Sequence, residues 1–467
     1  MSLGTTHIEQ PMILSAPWPH AEWTFTPAGY RPSPMRRDFL VPICPPGLSL
    51  LMSAAKFLRV SMLLVVPLCG AFAVWWTFVL GRRIAGSLAG AASAVLLVCS
   101  PVFLFQVVQP MSDVPAAAWW LCAAAVSGDR DDRTRRPFMA GLAASVAMLI
   151  RPNLVPLAAI VGMYLAVLSG ARRWQSVARF LIGLAPGLLG LAALQRAMYG
   201  SLIGSGYGAT ADLFHAGNVL DNLTRYGRWL YETHTPFLLL AIVAPFVADR
   251  AAAWLCLLLA AGTAAAYLPY QVFNDWWYLR FLLPAIACLI VLSTSTCVQV
   301  ARRWLPRYQT LAMALVVAGL GATWVSDAPT RSAFDLQRME RPFIEAGTFV
   351  AEQLPDRAVI LTVRHSGSVY YYSRRPTVSW DTLEPGSLNR ALTFLRAQGL
   401  TPLVLIDKTE EPEFRSRFGA AGDVGGLDWP PMARIDRTIR VYDPSDRPRY
   451  LSGATIQTIE WPPPKGS

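Results

Sequence analysis

The feature that most constrains this chain is a succession of apolar runs separated by connections that are alternately basic and non-basic. A helix needs about 20 mostly apolar residues to cross a bilayer. Six runs meet or approach that length: Val60–Leu80, Ile84–Val108, Phe180–Tyr199, Ala251–Tyr270, Phe281–Cys297 and Gln309–Val325. Four shorter ones, Val114–Ser127, Phe138–Ile150, Leu154–Ser169 and Pro236–Val247, read as further crossings. Gly47–Leu58 follows a Pro-Pro pair, ends near Lys56 and Arg59, and reads as an interfacial or re-entrant helix.

Every second connection carries arginines. These are Gly81–Arg83, Gly128–Pro137 (Arg130, Arg133, Arg135, Arg136), Gly170–Arg179 (Arg172, Arg173), Arg250 and Ala301–Arg307. Basic loops stay in the cytoplasm. The complementary connections therefore lie outside: Gln109–Asp113, Arg151–Asn153, Gly200–Thr235, Gln271–Arg280 and the C-terminal part. The alternation runs through about ten crossings and predicts a multi-pass α-helical membrane protein. Composition agrees, since 54% of residues are hydrophobic and only 15% charged, against about 25% charged in a soluble chain. The net charge of +11 is spent on those loops and does not form the basic face that nucleic acid requires. The seven cysteines show no C-x-x-C spacing, which argues against a disulfide framework or a structural zinc site.

After Val325 the pattern changes to that of a small α/β domain. Arg357–Arg364, Val369–Ser373 and Pro402–Asp407 read as short buried strands, Arg341–Gln353 and Ser387–Gln398 as helices, and Ile435–Tyr442 as an edge strand. The expected division is an external N-terminal segment (1–46), a transmembrane domain (47–325), an extracytoplasmic α/β domain (326–450) and a disordered tail (451–467). The N-terminal residues contain no basic segment leading into an apolar core, so no leader peptide is read there. A chain whose first 46 residues lie outside is expected to begin downstream of a first transmembrane helix.

Polar residues at membrane depth are costly and tend to be functional or paired. Asp113 stands where the chain arrives outside and turns back. Ser112-Asp113-Val114-Pro115 also reads as a helix start, with Ser112 or Asp113 as N-cap. As a functional group, Asp113 is a general base or the holder of a divalent cation that neutralises a phosphate leaving group. Arg151, in Arg151-Pro152-Asn153, either snorkels to the interface or offers a fork for phosphate. In the aromatic loop Tyr270–Arg280, the residues Asp275, Trp276, Tyr278 and Arg280 suit sugar stacking and phosphate neutralisation as well as an interfacial belt. The glycine-rich stretch Tyr199–Gly208, with Tyr207 as its substrate contact, has no Walker ending. His215 and His234 have no metal-ligand spacing.

Together these pieces resemble the GT-C superfamily of integral-membrane glycosyltransferases, especially the bacterial branch related to protein O-mannosyltransferases and lipid A aminoarabinose transferases. The resemblance spans about Pro42 to Pro284. It rests on Pro45-Pro46-Gly47, Ser100-Pro101, Ser112-Asp113-Val114-Pro115, Arg151-Pro152-Asn153, Tyr199-Gly200-Ser201 and Arg280-Phe281-Leu282-Leu283-Pro284. It implies a bacterial inner-membrane enzyme that moves a sugar from a polyprenyl-phosphate carrier to a lipid, glycan or protein acceptor at the outer face. It further implies that Asp113 is the acidic residue of the second outer loop and that Arg280 lies near the carrier phosphate. Such enzymes carry another acidic residue after their first helix. Here Glu9, Glu22 and Asp38 follow no apolar run, and Asp38 beside Arg36 and Arg37 reads as a loop ion pair. Asp113 is accordingly expected to position substrate or metal rather than act alone as base. A transporter or flippase, or an inactive scaffold of this fold, are the alternative readings.

Overall fold

The computed structural model describes residues 7–128, 135–208, 210–420 and 423–462, which divide into two compact units. Arg130 and Arg133 of the second basic loop lie outside the described residues.

The first unit comprises residues 45–197 and 201–335 and is mostly helical. Its helices are α1 (Pro46–Phe57), α2 (Val65–Ala85), α3 (Ser87–Cys99), α4 (Pro101–Gln106), α5 (Asp113–Ser127), α6 (Arg136–Ile150), α7 (Pro156–Ser169), α8 (Arg173–Tyr199), α9 (Asn218–His234), α10 (Arg250–Tyr267), α11 (Leu283–Trp304) and α12 (Gln309–Asp327). Among the described residues five helical runs are long and apolar enough to cross a membrane, or six if the bent pair Asn218–His234 and Pro236–Val247 forms one span. The ten sequence crossings are thus not all reached by length. Gly86 at φ 91° separates α2 from α3, and Pro101 begins α4 where α3 stops. α5 and α6, at 15 residues each, extend about 22 Å and are shorter than the hydrocarbon core.

The 48-residue run Pro152–Tyr199 is two passes. A Cβ placed on Gly162 would stand 3.6 Å from the Phe180 ring, whereas 18 residues of straight helix would separate them by about 27 Å. The chain therefore reverses at Gly170, whose φ of 52° suits glycine.

Lipid offers little hydrophobic drive for helices to pair, so close backbone approach carries the packing. A Cβ at Gly141 of α6 would meet the Phe180 carbonyl oxygen at 2.1 Å, and one at Gly183 of α8 would meet the Phe138 carbonyl at 2.1 Å. α5 is buried along nearly its whole length by alanines such as Ala116, Ala117, Ala118, Ala123 and Ala124. α11 is largely buried and α12 largely exposed. A buried hydroxyl pair also ties two helices together, Ser93 with Thr294 at 2.5 Å.

The second unit draws on residues 7–44, 198–200 and the described part of 336–462. Its larger sheet has the order β5-β4-β6-β8-β7-β9, from Thr377–Val378 (β5), Ala358–Leu361 (β4), Thr401–Asp407 (β6), Ile439–Tyr442 (β8), Ala433–Ile435 (β7) and Ile459–Trp461 (β9). β4 pairs in parallel with β5 and β6, and β8 runs antiparallel to β6 and β7. The remaining helices used below are α13 (Leu336–Gln353), α14 (Ser366–Ser373) and α15 (Leu388–Ala397).

Several sequence expectations change here. Val369–Ser373 belongs to the helix α14, because Ser366, Val369 and Ser373 are buried at helical spacing while the tyrosines between face outward or edge-on. Ile435–Tyr442 is not one edge strand. Asp436 and Arg437, both at positive φ, turn it into the hairpin β7–β8 with β8 inside the sheet. The expected disordered tail contributes β9, which pairs in parallel with β7, and residues 463–467 lie outside the described residues. The N-terminal segment is not separate either. Its small sheet β1-β3-β2 (Ile8–Glu9, Phe39–Pro42, Tyr30–Pro32) shares a core with the α/β part, in which Trp18 stands edge-on to Phe394 at 5.4 Å and Phe25 and Leu40 are fully buried.

Gly141→Val is expected to force α6 and α8 apart and to cost at least about 2 kcal/mol, within the range seen for overpacked contacts. Thermal unfolding of the detergent-solubilised protein checks this, and an unchanged midpoint would contradict the close crossing.

Candidate functional site

The proline that follows Arg151 disfavours helical geometry at that residue, so α6 ends at Ile150 and Arg151 is extended at φ −139°, ψ 88°. Its guanidinium meets the first turn of α5, where Nη2 lies 2.7 Å from Asp113 Oδ1, with 14% and 2% of the two side chains exposed. No N–H is aimed along an Oδ1 lone pair, so this contact is an ion pair. The directed hydrogen bonds of Arg151 go from Nε to Ser112 Oγ at 3.0 Å and from Nη1 to the Tyr267 hydroxyl. Ser112 and Asp113 do begin a helix, but Ser112 makes no side-chain cap bond, and its oxygen accepts from Arg151.

Aromatic rings surround this pair. The Arg151 guanidinium stands 5.1 Å from the Phe281 ring centroid and 5.7 Å from that of Tyr267, and these two rings stack at 4.9 Å. Phe281 also borders Tyr270, Phe273 and Tyr278, and Tyr278 stacks on Phe273 at 3.8 Å. Arg280 completes the group, with its guanidinium 5.0 Å from Tyr278 and 5.2 Å from Phe281. Among the described residues Arg280 has no ion pair. Nη1 donates to the soft sulfur of Met111 at 2.7 Å, and the buried Nε donates to nothing.

The structure thus gathers Asp113, Arg151, Tyr278 and Arg280, and Tyr207, half exposed, lies within electrostatic reach of Arg151. Asp275 stays apart. It is exposed, and its backbone carbonyl accepts from Tyr278 N while its carboxylate has no partner among the described residues. Trp276 belongs to a neighbouring cluster with Phe105 at 5.3 Å and the Arg331 guanidinium at 5.6 Å. Sequence reasoning missed Tyr267. Its signal was a tyrosine in an apolar helix, since a buried phenol needs a polar partner. His234 is a core residue, bonded to Ser100 Oγ at 2.8 Å and Thr233 Oγ1 at 2.7 Å. Asp38 forms the expected loop pair with Arg36 at 2.6 Å.

This arrangement of helices recurs in known proteins. Residues 44–194 match the family model of Dolichyl-phosphate-mannose-protein mannosyltransferase. Crystal structures of ArnT from Cupriavidus metallidurans superpose with a TM-score of 0.57 in the apo state and 0.59 bound to undecaprenyl phosphate. Sequence identity is 15% and 14% respectively, and in both cases 85% of this chain and 87% of the other are covered. The chain has the GT-C fold. Arabinofuranosyltransferase AftD from Mycobacteria shares it at a TM-score of 0.51 and 13% identity, over 77% of this chain and 30% of that one. No curated protein matches the chain in sequence. Like those neighbours, it is a multi-pass membrane protein.

Within this GT-C fold the residues do not suit a divalent cation. No group of three His, Cys, Asp or Glu side chains converges among the described residues, and the one carboxylate of the cluster already faces a guanidinium.

Removing one partner of a nearly buried pair strands the other charge and costs about 3–5 kcal/mol. Arg151→Gln is expected to show that loss in thermal unfolding, and the double variant Asp113→Asn/Arg151→Gln to recover most of it. Equal loss in the single and double variants would deny the pairing.

Proposed function

We propose that this chain transfers a sugar from a polyprenyl-phosphate carrier to a lipid, glycan or protein acceptor at the outer face of a bacterial inner membrane. The observation that carries this reading is Arg280, a cation with no counter-charge among the described residues, held against aromatic rings beside the Asp113–Arg151 pair. With the basic loops read as cytoplasmic, all three residues fall on outer connections. The fold agrees, because a GT-C neighbour binds undecaprenyl phosphate.

The reaction follows from the charges. An acceptor hydroxyl oxygen bonds to the anomeric carbon as the bond from that carbon to the phosphate oxygen breaks. Negative charge then grows on the departing carrier phosphate, where Arg280 offers a guanidinium that needs no prior ion pair to be broken. The hydroxyl proton leaves to a carboxylate or to a phosphate oxygen. Asp113 is already paired with Arg151, so its role is to hold Arg151 in place toward the substrate. Tyr278, half-buried, supplies a face for the sugar or the first isoprene units, with the buried Phe281 behind it.

Arg280→Ala is expected to lower transfer from undecaprenyl-phosphate-linked sugars in proteoliposomes by about 10²–10³-fold, the scale of losing one donor to developing charge, and to weaken the thermal shift given by undecaprenyl phosphate. Asp113→Asn is expected to abolish transfer while membrane insertion persists. Full activity in either variant sinks the assignment. Failure of the wild type with every linked sugar tried, together with transbilayer movement of the carrier, would favour a flippase.

A further inference from the structure

The second unit holds another concentration of buried polar groups, and it takes no part in the transfer reading. After β4 the chain builds β5 on one side of it and β6 on the other. The winding direction reverses between β4 and β6, and in open α/β sheets ligands bind in the crevice at the carboxyl ends of such strands. Here those ends carry Thr362, Arg364 and His365 after β4, and Asp407, Thr409 and Glu410 at and after β6.

The two connections are tied together. The Glu410 carboxylate accepts from the backbone N–H of Arg364 at 3.0 Å and of Asp407 at 3.4 Å. Asp407 Oδ1 accepts from the N–H and hydroxyl of Thr409 at 2.8 and 2.7 Å. Its Oδ2 faces His365 Nε2 at 3.7 Å, too far for a hydrogen bond. His365 and Thr362 are both 0% exposed, yet neither imidazole nitrogen nor the Thr362 hydroxyl has a protein partner. Burying such groups unpaired is costly, and all three belong to residues that follow β4 at the switch point.

Their chemistry narrows the occupant. Burial outweighs the attraction of Asp407 and holds the His365 pKa down at about 4, so the ring is neutral, with one donor and one acceptor. Thr362 adds a hydroxyl, and Asp407 Oδ2 adds an acceptor. Two carboxylates at the rim disfavour an anion, and no three metal ligands converge among the described residues. A set of mixed donors and acceptors matches adjacent hydroxyls. Arg364 at the same edge is exposed, donates to Thr409 at 3.4 Å and stands 5.7 Å over the Phe343 ring.

We infer that the carboxyl edge of β4 and β6 is a carbohydrate site, in which His365, Thr362 and Asp407 hydrogen-bond neighbouring hydroxyls of a neutral sugar ring. Four hydrogen bonds of ordinary net strength correspond to an affinity on the order of 1 mM.

The test uses the full chain in detergent micelles with ¹⁵N-labelled histidine, five residues in all, titrated with D-mannose, D-galactose and L-arabinose. The expected result is a saturable shift of the His365 ring resonances with at least one sugar. Thr362→Val, which preserves shape, should weaken that binding about tenfold, roughly the loss of one buried hydrogen bond with its desolvated partner. Arg280→Ala should leave it unchanged. No saturable shift with any sugar, as for a crevice filled by buried water alone, would overturn the proposal. So would a response that Arg280→Ala removes, because the sugar would then sit at the transfer site.

Discussion

The ion pair between Asp113 and Arg151 is the constraint around which the helical unit is arranged. Neither charge could be carried into an apolar bundle alone, and each makes the other tolerable. The pair fastens the start of α5 to the break after α6, two points 38 residues apart in sequence (151 − 113). Tyr267 and Phe281 then enclose the guanidinium from α10 and the stretch leading into α11. Four segments thus converge on one electrostatic contact.

That convergence divides labour between two arginines that look alike in sequence. Arg151 is spent: its N–H groups serve Asp113, Ser112 and Tyr267. Arg280 has only a thioether and aromatic faces, so its charge is balanced by no carboxylate among the described residues. In surroundings of low dielectric an unbalanced cation attracts an anionic group far more strongly than it would in water. The first arginine stabilises the architecture, and the second is the one with capacity left for a ligand.

Much of this was legible before any coordinates. Apolar length and alternating basic loops fixed the class of protein, and Arg151 and Arg280 stood out because charge is rare beside apolar runs. What stayed hidden depends on distance in sequence. Nothing local to Asp113 states that its partner comes from the next outer connection, and nothing near Tyr267 marks it as that partner's hydrogen-bond acceptor. The loop residue Asp275 looked as polar and as well placed as Asp113, yet only burial separates them. Strand and helix were confused at Val369–Ser373 because a tyrosine run has strand propensity, while the burial of Ser366, Val369 and Ser373 follows a helical period that a five-residue window cannot contain. The tail reads as disordered by composition, and β9 forms only because β7 lends it an edge.

The second unit is assembled from both ends of the chain. The Ala28 amide donates to Ser366 Oγ across 338 positions, and Trp18 and Phe25 fill a core whose other walls come from β4, β6 and α15. During synthesis Trp18 and Phe25 emerge before the helices of the first unit and have no core to enter until β4, β6 and α15 have been made. Residues 7–44 therefore meet their packing partners only after the helices of the first unit have been made. Their high proline content and short strands, which give them little stability of their own, suit them to waiting. A molecule cut short before Ser366 leaves Trp18 and Phe25 without the surfaces that bury them.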